Sequence, residues 1–114
     1  MEDKSYLVRV FGEHPEVKVL DFLLTFRDYD YSLSDIAKNS NVGWTTLHQF
    51  FPKLVKQGIV KETRRIGRAK LYKLDTNSEL VKNLIKTDDA ITKFFIEKEI
   101  EKGKLKYEIT ARAK

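Results

Sequence analysis

A mainly α fold carrying one small β-hairpin and ending in a long helix is predicted for this chain of 114 residues. Three observations predict it. Apolar residues recur at three- and four-residue intervals in successive stretches, the spacing that lines one side of a helix. Serine, proline and glycine fall where those stretches begin and end. A single segment, from Ile59 to Asp75, reads as two strands folded around a glycine.

Composition narrows the class. A domain of this length can bury a core without disulfides or metal. Cysteine is absent, which excludes a disulfide framework and a thiolate metal site. Hydrophobic residues make up 41% and charged ones 34%, a balance that suits a folded domain rather than a disordered chain. No apolar run approaches the length of a bilayer-crossing helix and no secretory leader opens the chain. The expected location is therefore the cytoplasm, with no membrane partner.

Residues 5–11 are ambiguous, since Tyr6, Val8 and Val10 alternate while Leu7, Val8 and Phe11 share a helical side. A short helix packed on the domain is the preferred reading, ended by Gly12. Pro15 then starts a helix where its missing amide costs nothing, and Glu16 suits the positive end of the dipole. Val17, Leu20, Leu23 and Leu24, widened by Val19, Phe22 and Phe26, give that helix its buried side up to about Arg27. The RDYDY segment reads as a short polar connection.

Ser32 and Asp35 form an S-x-x-D cap for the next helix, with Ile36 and Ala37 facing inwards. A turn from Ser40 to Gly43, anchored by Val42, leads into a second helix from about Trp44 to Gln57. Leu47, Phe51, Leu54 and Val55 are its expected buried stripe, flanked by Phe50. Small residues at Ala37 and Gly43 let the two helices approach steeply, as in a helix-turn-helix. Pro52 denies the His48 carbonyl a hydrogen bond, so a kink or loosening is expected there. Gly58 is placed for a left-handed stop. In the hairpin, Ile59, Val60 and Thr63 face Leu71 and Tyr72 across RRIGRAK, whose Gly67 supplies a turn.

Beyond the break at Thr76 to Ser78, a long helix runs from about Glu79 towards Lys102. Asp88 interrupts its apolar spacing, and Thr87 could cap a second helix there. After Gly103 the pattern alternates strictly through Leu105, Tyr107, Ile109 and Ala111, which reads as an edge strand or a basic arm. Residues 1–78 are thus expected to form the binding domain, and residues 79–114 a helix and tail for dimerisation.

Charge is unevenly placed. Between Trp44 and Lys73 stand eight lysines and arginines against Glu62 alone, a net of +7 in a chain whose total is +5, so the remaining residues sum to −2. A surface built only for solubility mixes its signs. This one points to a polyanion, and a helix-turn-helix beside a basic hairpin points to double-stranded DNA.

The run SLSDIAKNSNVGWTTLHQFFPKLVKQGIVKETRRIGRAKLYKL resembles the winged helix-turn-helix of archaeal and bacterial transcriptional regulators. Ile36-Ala37 before the turn, the buried Val42, then Leu54, Gly58, Ile59 and Val60, and finally Tyr72 two residues before Leu74 carry the likeness. It covers about the middle half of the chain. Gly43 stands where the family commonly has a capping serine, and Pro52 where proline is seldom found. The resemblance implies a DNA-binding regulator, usually a homodimer on a palindromic or repeated site; from the residues themselves no cofactor is expected.

Site residues follow from both readings. Trp44, Thr45, Thr46, His48, Gln49 and Lys53 would face the major groove from a recognition helix over 44–57, with His48 able to donate to guanine acceptors. Arg64, Arg65, Arg68 and Lys70, in a wing over 63–70, would grip phosphates or enter the minor groove. The same residues also suit a solvated helix face and an edge strand protected by charge, but four cations in seven residues exceed what edge protection needs. Leu84, Ile91, Phe94 and Phe95 suit a homodimer interface as well as packing within one chain. Two other classes remain: a winged-helix protein-interaction module presenting Trp44, Phe50 and Phe51, and a sequence-indifferent chromatin or plasmid-maintenance protein. Enzymatic chemistry finds no footing. His14 and His48 are distant in sequence and no phosphate-binding glycine loop occurs.

Overall fold

The structure, a computed structural model, describes the backbone of residues 5–113 and side chains as far as Gly103. Helices α1 (Tyr6–Phe11) and α2 (Pro15–Thr25) lead through a two-residue strand, β1 (Tyr31–Ser32), into α3 (Leu33–Ser40) and α4 (Trp44–Lys56). The hairpin strands β2 (Val60–Ile66) and β3 (Ala69–Leu74) follow, and α5 (Glu79–Ala113) closes the chain.

Serines start three of the helices. Ser5, Ser32 and Ser78 hydroxyls accept from the backbone amides of Val8, Asp35 and Val81, each giving an unpaired first-turn amide a partner. The α3–α4 turn depends on Asn41, held in the left-handed region at φ 55, with its carbonyl accepting from Lys18 Nζ at 2.9 Å. That tie joins the turn to α2. Gly58 (φ 74) reverses the chain after α4, where its amide and that of Ile59 cap Val55 and Leu54 carbonyls.

One side of each element meets a single core. Val19, Leu23 and Leu24 of α2, Ile36 of α3, Leu47 of α4, Val60 of β2, Leu74 of β3 and Val81 of α5 are fully buried there. Each such side chain contributes about 1.5–3 kcal/mol relative to exposure. Two expected core members lie outside: Phe26 caps α2 on the surface, and Val55 is 38% exposed. Val55 falls at the edge of the α4 stripe. The first long helix ends at Thr25 rather than about Arg27: the backbone leaves helical geometry at Phe26 (φ −113, ψ 44), and the Arg27 side chain donates back to the Leu24 carbonyl.

Three departures concern whole elements. The RDYDY connection contains β1, which pairs antiparallel with β3 through Tyr31 opposite Tyr72 and Ser32 opposite Leu71, so the sheet order is β1-β3-β2. The tail does not form a strand. Helix α5 passes through Gly103 to Ala113 without a break, since a helix pairs its own amides and carbonyls while a strand there needs a neighbouring edge. Thr87 does not start a second helix either. Asp88 is accommodated within α5, half-buried over α2, where burial first and then the nearby Asp21 and Asp89 carboxylates push its pKa up against the lowering pull of Arg27.

Candidate nucleic-acid interface

The two sides of α4 differ sharply. Leu47, Phe51 and Leu54 are buried, and Phe51 meets Tyr72 of β3 edge-on at 5.0 Å. At 100° per residue the opposite side carries Thr45, His48, Gln49, Pro52, Lys53 and Lys56, all of them exposed. Thr46 falls between the two sides and is half-buried. Helix α4 continues through Pro52, which sits on the exposed side. The His48 carbonyl it leaves without a helical donor therefore belongs to an exposed residue, where water can serve it.

Gly43 begins α4 without a side-chain cap. Trp44 is 53% exposed and its ring lies 3.9 Å from that of His48, one turn on. His48 Nδ1 is 2.8 Å from the Trp44 carbonyl oxygen. Together with Leu33, Ser34, Arg68, Lys70 and Tyr72, Trp44 lines a cleft of about 240 Å³ between the start of α3 and the side of the hairpin formed by its turn and β3. The start of α4 and the hairpin are thus adjacent.

The hairpin projects, with residues 61–70 exposed throughout. Gly67 alone of its two turn residues has positive φ (61), the arrangement of a type II′ turn with glycine first. The ladder slips by one between Glu62 and Arg64, leaving Thr63 as a bulge. Here the sequence reading missed a residue. Asp30, in the connection before β1 and only 15% exposed, takes a two-pronged hydrogen bond from Arg64 (Nε to Oδ2 3.0 Å, Nη2 to Oδ1 3.1 Å). The Thr63 hydroxyl is 2.5 Å from Asp30 Oδ2 and 3.2 Å from the Leu71 carbonyl, and its one proton suits the nearer carboxylate. Arg64 chiefly, and Thr63 next, hold the Asp30 carboxyl down to about 2.

The wing cations are therefore unequal. Arg64 is committed to Asp30. Arg65 and Lys70 flank Glu62, at 3.4 and 4.0 Å, and Lys61 lies 3.9 Å from Asp75. Among the described residues Lys53 and Arg68 have no ion-pair partner within 4 Å. No charge-rich segment read in isolation could show this, because Asp30 is 34 residues from Arg64 in sequence.

The residues expected at a dimer interface also separate. Leu84 and Ile91 are half-buried against the chain's own core. Phe95 stacks on Tyr6 of α1 at 5.0 Å and 6°, while Phe94 stays 54% exposed. Ile96 and Ile100, further along α5, are exposed as well.

Among the described residues no three His, Asp or Glu side chains could share a metal, and no helix is long and apolar enough to cross a membrane. No family model matches the chain, and no curated protein does. Solved structures do. The transcriptional regulator HlyU from Vibrio vulnificus CMCP6 superposes with a TM-score of 0.53 at 23% identity, over 65% of this chain and 74% of that one. MepR, a transcription regulator of the Staphylococcus aureus multidrug efflux pump MepA, gives 0.57 at 18% identity over 96% and 95%. The homodimeric winged helix-turn-helix DNA-binding domain of Mb0332 from Mycobacterium bovis, a possible ArsR-family regulator, gives 0.54 at 20% over 81% and 80%. In element order, sheet topology and superposition, this chain has the winged helix-turn-helix fold of the bacterial transcriptional regulators it matches.

Proposed function

We propose that the protein is a sequence-specific double-stranded DNA-binding transcriptional regulator that works in the cytoplasm as a homodimer and needs no cofactor. One observation carries the reading: α4 seals its apolar side and leaves Thr45, His48, Gln49 and Lys53 exposed beside a projecting basic hairpin. Helix α4 enters the major groove, where Gln49 pairs with adenine and Thr45 touches a thymine methyl or a phosphate. Arg65, Arg68 and Lys70 grip the backbone or the minor groove beside it. The fold shared with HlyU and MepR, both named as regulators, supports this, and so does the homodimeric DNA-binding domain of Mb0332. Phe94, exposed on α5, is available to a second subunit.

A protein-interaction module would present Phe50 and Phe51 with Trp44. Phe51 is instead buried on Tyr72 and Phe50 half-buried on the core, so only Trp44 of that trio offers much surface. Selection of bound duplexes from a random pool tests the proposal. A regulator enriches a motif, in two half-sites if dimeric, and binds less tightly as salt rises. Retention of the unselected pool as tightly as any enriched sequence would instead mark a sequence-indifferent DNA-coating protein.

A further inference from the structure

Which bases His48 can read is fixed by a bond it makes within its own helix. Nδ1 lies 2.8 Å from the Trp44 carbonyl oxygen, and a carbonyl oxygen only accepts. Nδ1 must therefore carry the proton. In a neutral imidazole the other ring nitrogen then has a lone pair and no hydrogen. The Trp44 ring, 3.9 Å away, packs against the imidazole, and turning that ring over would put carbon in place of Nδ1 and lose the bond. Expectation from the residue type alone, that His48 donates to guanine, reverses once this contact is known.

Resting on the DNA-binding reading above, we infer that neutral His48 is a specificity residue that accepts, through Nε2, a hydrogen bond from an exocyclic amino group in the major groove. Only adenine N6 and cytosine N4 present such a donor there. Guanine offers N7 and O6 and thymine offers O4, all acceptors, which face the Nε2 lone pair with repulsion rather than a bond. His48 thus selects adenine or cytosine and rejects guanine and thymine at one position. Trp44 acts beside it as a positioning residue.

The test compares sites selected at pH 8 by the wild-type chain, His48→Ala and His48→Arg. Position 48 is exposed on a helix, and matching helical spectra and melting curves verify that each variant folds. The expected result is one position where the wild type requires adenine or cytosine, where His48→Ala levels the preference, and where the donor-only His48→Arg prefers guanine. Deleting the amino group from that base, with purine for adenine or 2-pyrimidinone for cytosine, tells the two sources apart. It should weaken wild-type binding roughly two- to tenfold, the worth of one neutral hydrogen bond, and leave His48→Ala unchanged. A guanine or thymine at the position that His48→Ala levels, or no position altered by that variant, would overturn the inference while leaving the regulator reading intact. Failure to enrich any motif would count against the regulator reading itself.

Discussion

At the scale of single residues, the wing shows that charge and availability are different properties. Arg64 and Arg68 are both exposed arginines of one hairpin, yet Asp30 holds the first, and among the described residues no acid lies within 4 Å of the second. Arg68→Ala should weaken binding to all DNA sequences alike and lower the log–log salt slope by about 1, read by fluorescence anisotropy at several salt concentrations. Asp30→Asn works the other way. It removes a negative charge and releases Arg64, so non-specific affinity should rise and the salt slope steepen by about 1. The same pair sets a pH dependence. The Asp30 pKa is depressed to about 2 in the folded chain, against about 3.9 unfolded. Its stabilisation is complete above the unfolded value and fades as pH falls towards 2. Acid unfolding followed by circular dichroism should show a shallower loss of stability in that window for Asp30→Asn. Asp88 has the opposite sign. Burial raises its folded pKa, so its charged form opposes folding at neutral pH, and that penalty disappears as pH falls through the raised value. Asp88→Asn should melt higher than wild type at pH 7, with the gap closing in acid.

At the scale of elements, short-range chemistry was legible and long-range pairing was not. Ser32 with Asp35, Pro15, Gly58 and Gly67 mark their helices and turn by local rules, and each occupies the expected place. The stripe of Leu47, Phe51 and Leu54 was legible because a helical period repeats within a dozen residues. Strand β1 was not, since two residues carry no period and Tyr31 becomes a strand only by meeting Tyr72. Asp30 escaped notice for the same reason: its partners are brought to it by the sheet. The tail illustrates a further limit. Strict alternation from Leu105 to Ala111 suits a strand, yet the backbone there continues α5, because alternation describes the sides of an element and does not supply a pairing edge. Two stability measurements check the element-level account. Leu47→Ala, at a fully buried position joining α4 to the core, should cost about 2–5 kcal/mol in denaturant unfolding. Gly67→Ala forces a side chain into positive φ at an open turn and should cost about 1 kcal/mol.

At the scale of the molecule, α5 carries apolar residues that its own chain leaves exposed. Its 35 residues span roughly 52 Å at 1.5 Å per residue, in a molecule measuring 63 × 31 × 24 Å. Leu84, Ile91 and Phe95 pack within their own chain, while Phe94, Ile96 and Ile100 are exposed. If a second copy covers Phe94, sedimentation should give a dimer for the wild type and a shift towards monomer for Phe94→Lys, with an unchanged circular dichroism spectrum. A wild-type chain that sediments as a monomer at every concentration would remove α5 from the dimer proposal without touching the proposed DNA-binding surface.

That surface is tested most directly by amide chemical-shift mapping of the labelled chain titrated with a selected duplex. Perturbations should gather at residues 44–53 of α4 and 63–70 of the wing, and Arg65→Ala with Arg68→Ala should shrink them together. Shifts confined to α1 and α5, with α4 and the wing unmoved at saturating DNA, would contradict the account.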